Sequence, residues 1–206
     1  MIKDEKDYLD KYGEIPNSKL ERFQYLLKKL NIKKGLERIY EEIRRINRIK
    51  WKTLDIVINM TPKATPRARQ NRQRNIFYVK GAANNRKRFR KFMSKLDIDM
   101  IITPIKFHCD IYIDIPSSMN KIDKLLAELG FIHPINRPDW DNFGKTYSDM
   151  VQEQLVLDDS LIIEGKVRKF YSCKPRIEIH IEYMEDFDCE FNKKRIYSYK
   201  NINLNK

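Results

Sequence analysis

Three cysteines in 206 residues, Cys109, Cys173 and Cys189, make an odd set with no Cys-X-X-Cys pair. That excludes a disulfide scaffold and a zinc knuckle, and it points to a reducing cytosol. Histidine is equally scarce. His108 and His180 fall in strand patterns, where a satisfied structural histidine is the expected role, and His133 lies in a loop six residues before Asp139. No apolar run approaches the roughly 20 residues that span a bilayer. The charged start, Met1 to Lys6, has no apolar follow-on, so no signal peptide is expected. There is no internal repeat. A Rossmann-like alternation of strands and helices is missing too, which weakens a nucleotide-sugar transferase reading of any Asp-X-Asp motif.

The most telling absence is local. From Ile56 to Leu96 there is no acid at all, against twelve lysines and arginines. Solvated faces normally mix both signs, so a one-sign run is better explained by phosphate contacts. Thr61 to Arg69 is punctuated by Pro62 and Pro66 and cannot be helix throughout. Lys63, Arg67, Arg69, Arg72 and Arg74, interleaved with Phe77 and Tyr78, suit a flexible clamp on nucleic acid. The whole chain agrees: its net charge is +13, and 34% of residues are charged. A polyanionic partner is expected and a membrane is not.

What is present suits one domain with an extension. Hydrophobic residues make up 41% of the chain, enough for a real core. Residues 1–17 are expected to be irregular. Ser18-Lys19-Leu20-Glu21 reads as a capping box opening a helix with Leu20, Phe23, Leu26, Leu27 and Leu30 in step. A second amphipathic stripe, Leu36, Ile39, Tyr40, Ile43 and Ile46, completes a helical hairpin over residues 1–50, a packing or dimerisation appendage. Its Arg44, Arg45, Arg48 and Lys50 add to the basic surface. The main domain is expected over 51–184 and a loosely held tail over 185–206.

Within the main domain the expected elements are a strand from Thr53 to Met60 and a short strand over Ile76 to Val79. A basic helix follows from Asn84 to Leu96, with Phe89, Phe92, Met93 and Leu96 inward. A long alternating strand from Ile101 to Ile115 has either one buried face or an edge near a partner subunit. Ser117 or Ser118 caps a short helix ended by Gly130. Two last strands, Leu161 to Tyr171 and Arg176 to Met184, read as a hairpin turning through Ser172 to Pro175.

Arg137-Pro138-Asp139-Trp140-Asp141-Asn142-Phe143-Gly144-Lys145 is the centre of the chain. Pro138 keeps Arg137 out of helix, and Asp141 and Asn142 are good N-caps for the helix that follows. On that helix Phe143, Tyr147, Met150, Val151 and Gln154 share one side. Asp141 and Lys145 point outward together, one turn apart. Asp158-Asp159 opens the next strand. Carboxylates crowded at one spot need a cation between them or a proton on one. A hard divalent cation such as Mg²⁺ is satisfied by a few of them plus water.

This constellation resembles the RusA family of Holliday-junction resolvases and related phage endonucleases. The family pattern is Lys/Arg-Pro-Asp-X-Asp-Asn, a lysine three residues past the asparagine, an Asp-Asp-Ser/Ala-X-Val/Ile strand start, a strand lysine and a short final strand. Here these are Arg137 to Asn142, Lys145, Asp158-Asp159-Ser160-Leu161-Ile162, Lys169 and Ile177 to Ile181, with Leu161 where glutamine is common. The resemblance covers about residues 52 to 184, and residues 1 to 50 have no counterpart in it. It implies an α+β fold, a small mixed and largely antiparallel sheet with helices packed on it, and a basic loop after the first strand.

It further implies an endodeoxyribonuclease resolving four-way junctions in DNA recombination and repair, acting as a homodimer in the nucleoid of a bacterial or phage-infected cell. Asp139, Asp141 and Asp159 are the implied ligands of Mg²⁺, with Mn²⁺ as a substitute. Lys145 is implied beside the scissile phosphate and Lys169 as a further phosphate contact, with Asn142 and Asp158 as secondary members. The competing expectation is a non-catalytic DNA- or junction-binding protein whose acids are structural.

Overall fold

The computed structural model describes residues 15–65, 83–152, 154–185 and 187. The expected strand over 76–79 and nearly all of the tail lie outside these residues. Between Lys50 and Trp51 the chain divides into two compact units.

The first unit holds α1 (Asn17–Lys29) and α2 (Leu36–Asn47). Tyr40 is buried, with its ring 5.9 Å from that of Phe23 across the pair. Ser18 does not cap α1. Pro16 takes the N-cap position, and no side chain caps the helix, because Ser18 already lies one residue inside. Proline suits a helix entrance, having no amide hydrogen to leave unpaired. Gly35 precedes α2 at φ 78°, a left-handed conformation open to glycine.

The second unit is built on a four-stranded mixed sheet of order β1-β4-β2-β3, from β1 (Trp51–Ile58), β2 (Ile105–Asp114), β3 (Ile162–Ser172) and β4 (Arg176–Met184). β4 is antiparallel to both β1 and β2, and β3 is parallel to β2. This is the α+β fold with a mixed, largely antiparallel sheet that the sequence implied. β3 and β4 are not the expected hairpin, because β2 lies between them. β2 takes the first of its two expected forms: it is paired on both sides, and its inward residues Ile105, Phe107, Cys109 and Ile111 are almost wholly buried. The strand is also shorter than expected, with Ile101 making a separate bridge to Val156.

The turn from β3 to β4 is held from outside the sheet. Ser172 Oγ and the Cys173 amide both donate to the carboxylate of Glu128, at the end of α4 (Lys121–Glu128). Asn120, not Ser117 or Ser118, caps α4 by accepting from the Asp123 amide at 2.8 Å. Gly130 follows that helix at φ 80°, where a glycine stop was expected.

One face of the sheet carries the core, with α3 (Ala83–Met93) and α5 (Trp140–Gln152) contributing. Phe89 and Met93 of α3 are buried, as are Phe143, Tyr147, Met150 and Val151 of α5. Each such side chain contributes about 1.5–3 kcal/mol by leaving water. The other face alternates outward as paired charges, including Lys106 to Glu182 at 2.9 Å and His180 Nδ1 to Asp55 at 2.6 Å. His108 faces Glu164 at 3.4 Å, so both strand histidines have carboxylate partners.

Gly144 explains how closely α5 approaches the sheet. A Cβ there would stand 3.1 Å from the Val167 side chain on β3. Glycine costs a helix interior about 1 kcal/mol relative to alanine, and here it leaves room for the strand.

Candidate active site and its basic approach

α5 starts at Trp140, so Asp141 lies inside its first turn instead of capping it. The cap position belongs to Asp139, whose carbonyl accepts from the Phe143 amide at 3.3 Å. The reason is the preceding loop. Lys169 of β3 donates to the carbonyls of Asn136 and Pro138, both at 3.1 Å, and pins the chain just before the helix. The Arg137–Pro138 bond within it is cis. The side chain expected to touch phosphate is thus engaged in holding the acidic loop to the sheet.

Asp141, Lys145 and Asp149 follow one another at i, i+4 and i+8, which puts them along one face of α5. Lys145 Nζ lies 2.7 Å from Asp149 Oδ1 and 3.0 Å from Asp159 Oδ2. These contacts, Asp149 first, hold the ammonium above its ordinary pKa. Lys145 is therefore a cation throughout the physiological range and no general base. Asp159 opens a 3-10 turn, Asp159–Leu161, that leads into β3. Asp158 caps that turn by accepting from the Ser160 amide at 2.9 Å. The two neighbouring acids thereby differ: one caps backbone, the other faces Lys145. Asn142 accepts at its carbonyl from Thr146 Oγ1 at 2.7 Å.

Lys145 and Asp159 are brought together from elements fourteen residues apart. Asp139 is exposed at the helix entrance and Asp141 half-buried one turn before Lys145. Among the described residues, no three His, Cys, Asp or Glu side chains stand close enough to hold a metal ion. The cation seated between carboxylates here is the Lys145 ammonium. Asp149, which the sequence places on the outward side of the helix with Lys145 but outside the acidic motif, lies against that lysine. Its signal was the i+4 spacing from Lys145.

The basic stretch joins the same helix. The Lys63 amide donates to Tyr147 Oη at 3.2 Å, and the Thr65 amide to Thr146 Oγ1 at 2.8 Å. Burial pushes the Tyr147 hydroxyl well up, so it stays neutral. On the far side of the stretch, Asn85 donates to the Thr61 carbonyl at 3.4 Å, and Phe89 packs its ring 6.2 Å from that of Tyr147. The loop thus departs beside the residues next to Lys145. Lys63 is exposed. Arg67, Arg69, Arg72 and Arg74 lie outside the described residues. No helix among the described residues is long and apolar enough to cross a membrane.

The chain is similar in sequence to known proteins. Over 86 residues, 40% of the chain, it is 37% identical to an uncharacterized protein of Bacillus subtilis strain 168, YqaN, and the match spans 61% of that protein. The family model of endodeoxyribonuclease RusA matches residues 59–182, more than half the chain, with Asp139, Asp141, Asp149, Asp158 and Asp159 inside it. The chain belongs to the RusA endodeoxyribonuclease family.

Proposed function

We propose that this protein is a divalent-metal-dependent, structure-specific endodeoxyribonuclease that resolves four-way DNA junctions in recombination and repair, as a homodimer making paired phosphodiester cuts. The observation that carries the reading is the family match, which spans Asp139, Asp141, Lys145 and Asp159. Asp139, Asp141 and Asp159 are the proposed metal ligands. They offer oxygen donors only and none is buried, which fits Mg²⁺ or Mn²⁺ and its retained waters. A metal bound there supplies an activated water and neutralises charge on the phosphate.

The chain's own groups do the rest. The first amides of α5 and its dipole favour an anionic phosphate at the helix entrance. Lys145, kept charged by Asp149 and Asp159, offsets the charge that develops as the phosphodiester bond breaks. Asp158 caps the turn that carries Asp159, and Asn142, next to Asp141, is a secondary member of the site. Lys63 and the arginines of the 67–74 stretch track the DNA backbone.

A non-catalytic junction-binding protein is the second reading, and the Asp149–Lys145–Asp159 ion ladder is the feature that favours it. Incubation of labelled four-way junction and linear duplex with Mg²⁺ or with chelator separates the two. Junction-selective, chelator-sensitive cleavage is expected. Binding that ignores chelator, with no cleavage, would leave the second reading standing.

A further inference from the structure

Trp140 is the first residue of α5, between the candidate ligands Asp139 and Asp141, and it is 63% exposed. An aromatic at a helix entrance ordinarily covers apolar surface, and here it covers little. Ile135, on the loop held by Lys169, is 90% exposed. Exposed apolar groups on a pinned segment gain nothing for folding and present a preorganised surface to a partner.

The location narrows the partner. Adjacent Cα atoms are about 3.8 Å apart, so Trp140 lies one residue from Asp139 and from Asp141, two of the three proposed metal ligands. A group stacked on it belongs to the same ligand as the reacting phosphate. In intact duplex the base faces are closed by stacking, whereas a branch point exposes them. We propose that Trp140 is a stacking platform for an unstacked nucleobase at the DNA branch, so that this one side chain favours branched over linear DNA. Every base has a π-face, so the contact selects structure and not sequence. The inference rests on the nuclease reading above and adds to it the group that recognises the branch.

Fluorescence tests it directly. The chain has two tryptophans, so Trp51→Phe leaves Trp140 as the reporter in an otherwise intact chain. With chelator present to prevent cleavage, four-way junction is expected to quench Trp140 and to shield it several-fold from acrylamide, while matched linear duplex does neither. Trp140→Ala is expected to weaken junction binding about ten-fold while leaving duplex affinity within two-fold, and Trp140→Phe should restore most of the loss.

Parent protein that binds and cleaves junctions, with Trp140 unshielded and Trp140→Ala neutral, would overturn the platform and spare the nuclease. Shielding that tracks protein concentration without DNA would assign the surface to a second copy instead. Failure of the parent to bind junctions would remove both readings together.

Discussion

At the scale of single residues, Lys145 is held by two acids with different jobs. Asp159 is a proposed metal ligand, while Asp149 only keeps the ammonium placed and charged. Asp139→Asn, Asp141→Asn and Asp159→Asn are each expected to lower junction cleavage by about 10²-fold or more. Binding in chelator should stay intact or tighten, since each change removes negative charge near phosphate. Lys145→Ala should cripple cleavage to a similar degree. Asp149→Asn should fall between these and the parent, because Asp159 still holds the lysine. Single-turnover cleavage of labelled junction measures all five, and full activity in two of the three ligand variants would end the metal-site proposal.

Single elements show how the site is kept in place. β3 acts through Lys169, which ties down the loop before α5. If that is its function, Lys169→Met should slow cleavage by about 10²-fold through misplacement of Asp139. Junction affinity and its salt dependence in chelator should barely move. A fall in the salt slope of close to one contact would instead restore the phosphate role. α4 acts through Glu128, whose pKa lies below its ordinary 4.5, chiefly because the Cys173 amide donates to it. A lowered folded pKa means that its contribution is complete above the unfolded value and is lost as pH falls through the folded one. Glu128→Gln is therefore expected to lower the melting temperature at pH 7 by about 2 °C. The gap should narrow steadily as the pH drops below 4.5, and a gap that does not narrow there would contradict the cause.

For the whole molecule, charge and symmetry decide. Replacing Arg67, Arg69, Arg72 and Arg74 together by Ala should flatten the dependence of log affinity on log salt by about 0.9 per lost duplex phosphate contact. An unchanged slope would make the stretch a solvated surface. Two symmetric cuts need two sites, and closed two-fold symmetry supplies them most simply. β2 is unavailable as an interface, being interior to the sheet. In the N-terminal unit, Tyr25 of α1 and Leu30 just after it are 60% and 63% exposed, which leaves apolar surface for a second copy. Light scattering is expected to give twice 24.9 kDa without junction, and two chains per DNA with it. A particle near 24.9 kDa alone that carries one chain per junction would refute the dimer.

Periodicity by itself determined most elements and the inward faces of α3 and α5, because burial repeats with the helix or strand period and needs no distant partner. The Phe143, Tyr147, Met150 and Val151 face was legible in this way. So was the acidic motif, since its residue types and spacing are local. Helix starts were less so: Pro16 and Asn120 took positions expected of serines, and Asp139 one expected of Asp141 or Asn142. Competing polar residues a position or two apart offer nearly equal local bonds, and the loop beyond them chooses. Only the tertiary structure decided that β2 divides β3 from β4, because strand partners depend on which faces must be covered on both sides. Only it brought Lys169 to two loop carbonyls and set Lys145 between Asp149 and Asp159. A long cationic side chain takes whichever oxygens the fold brings within its reach, and sequence spacing does not say which those are.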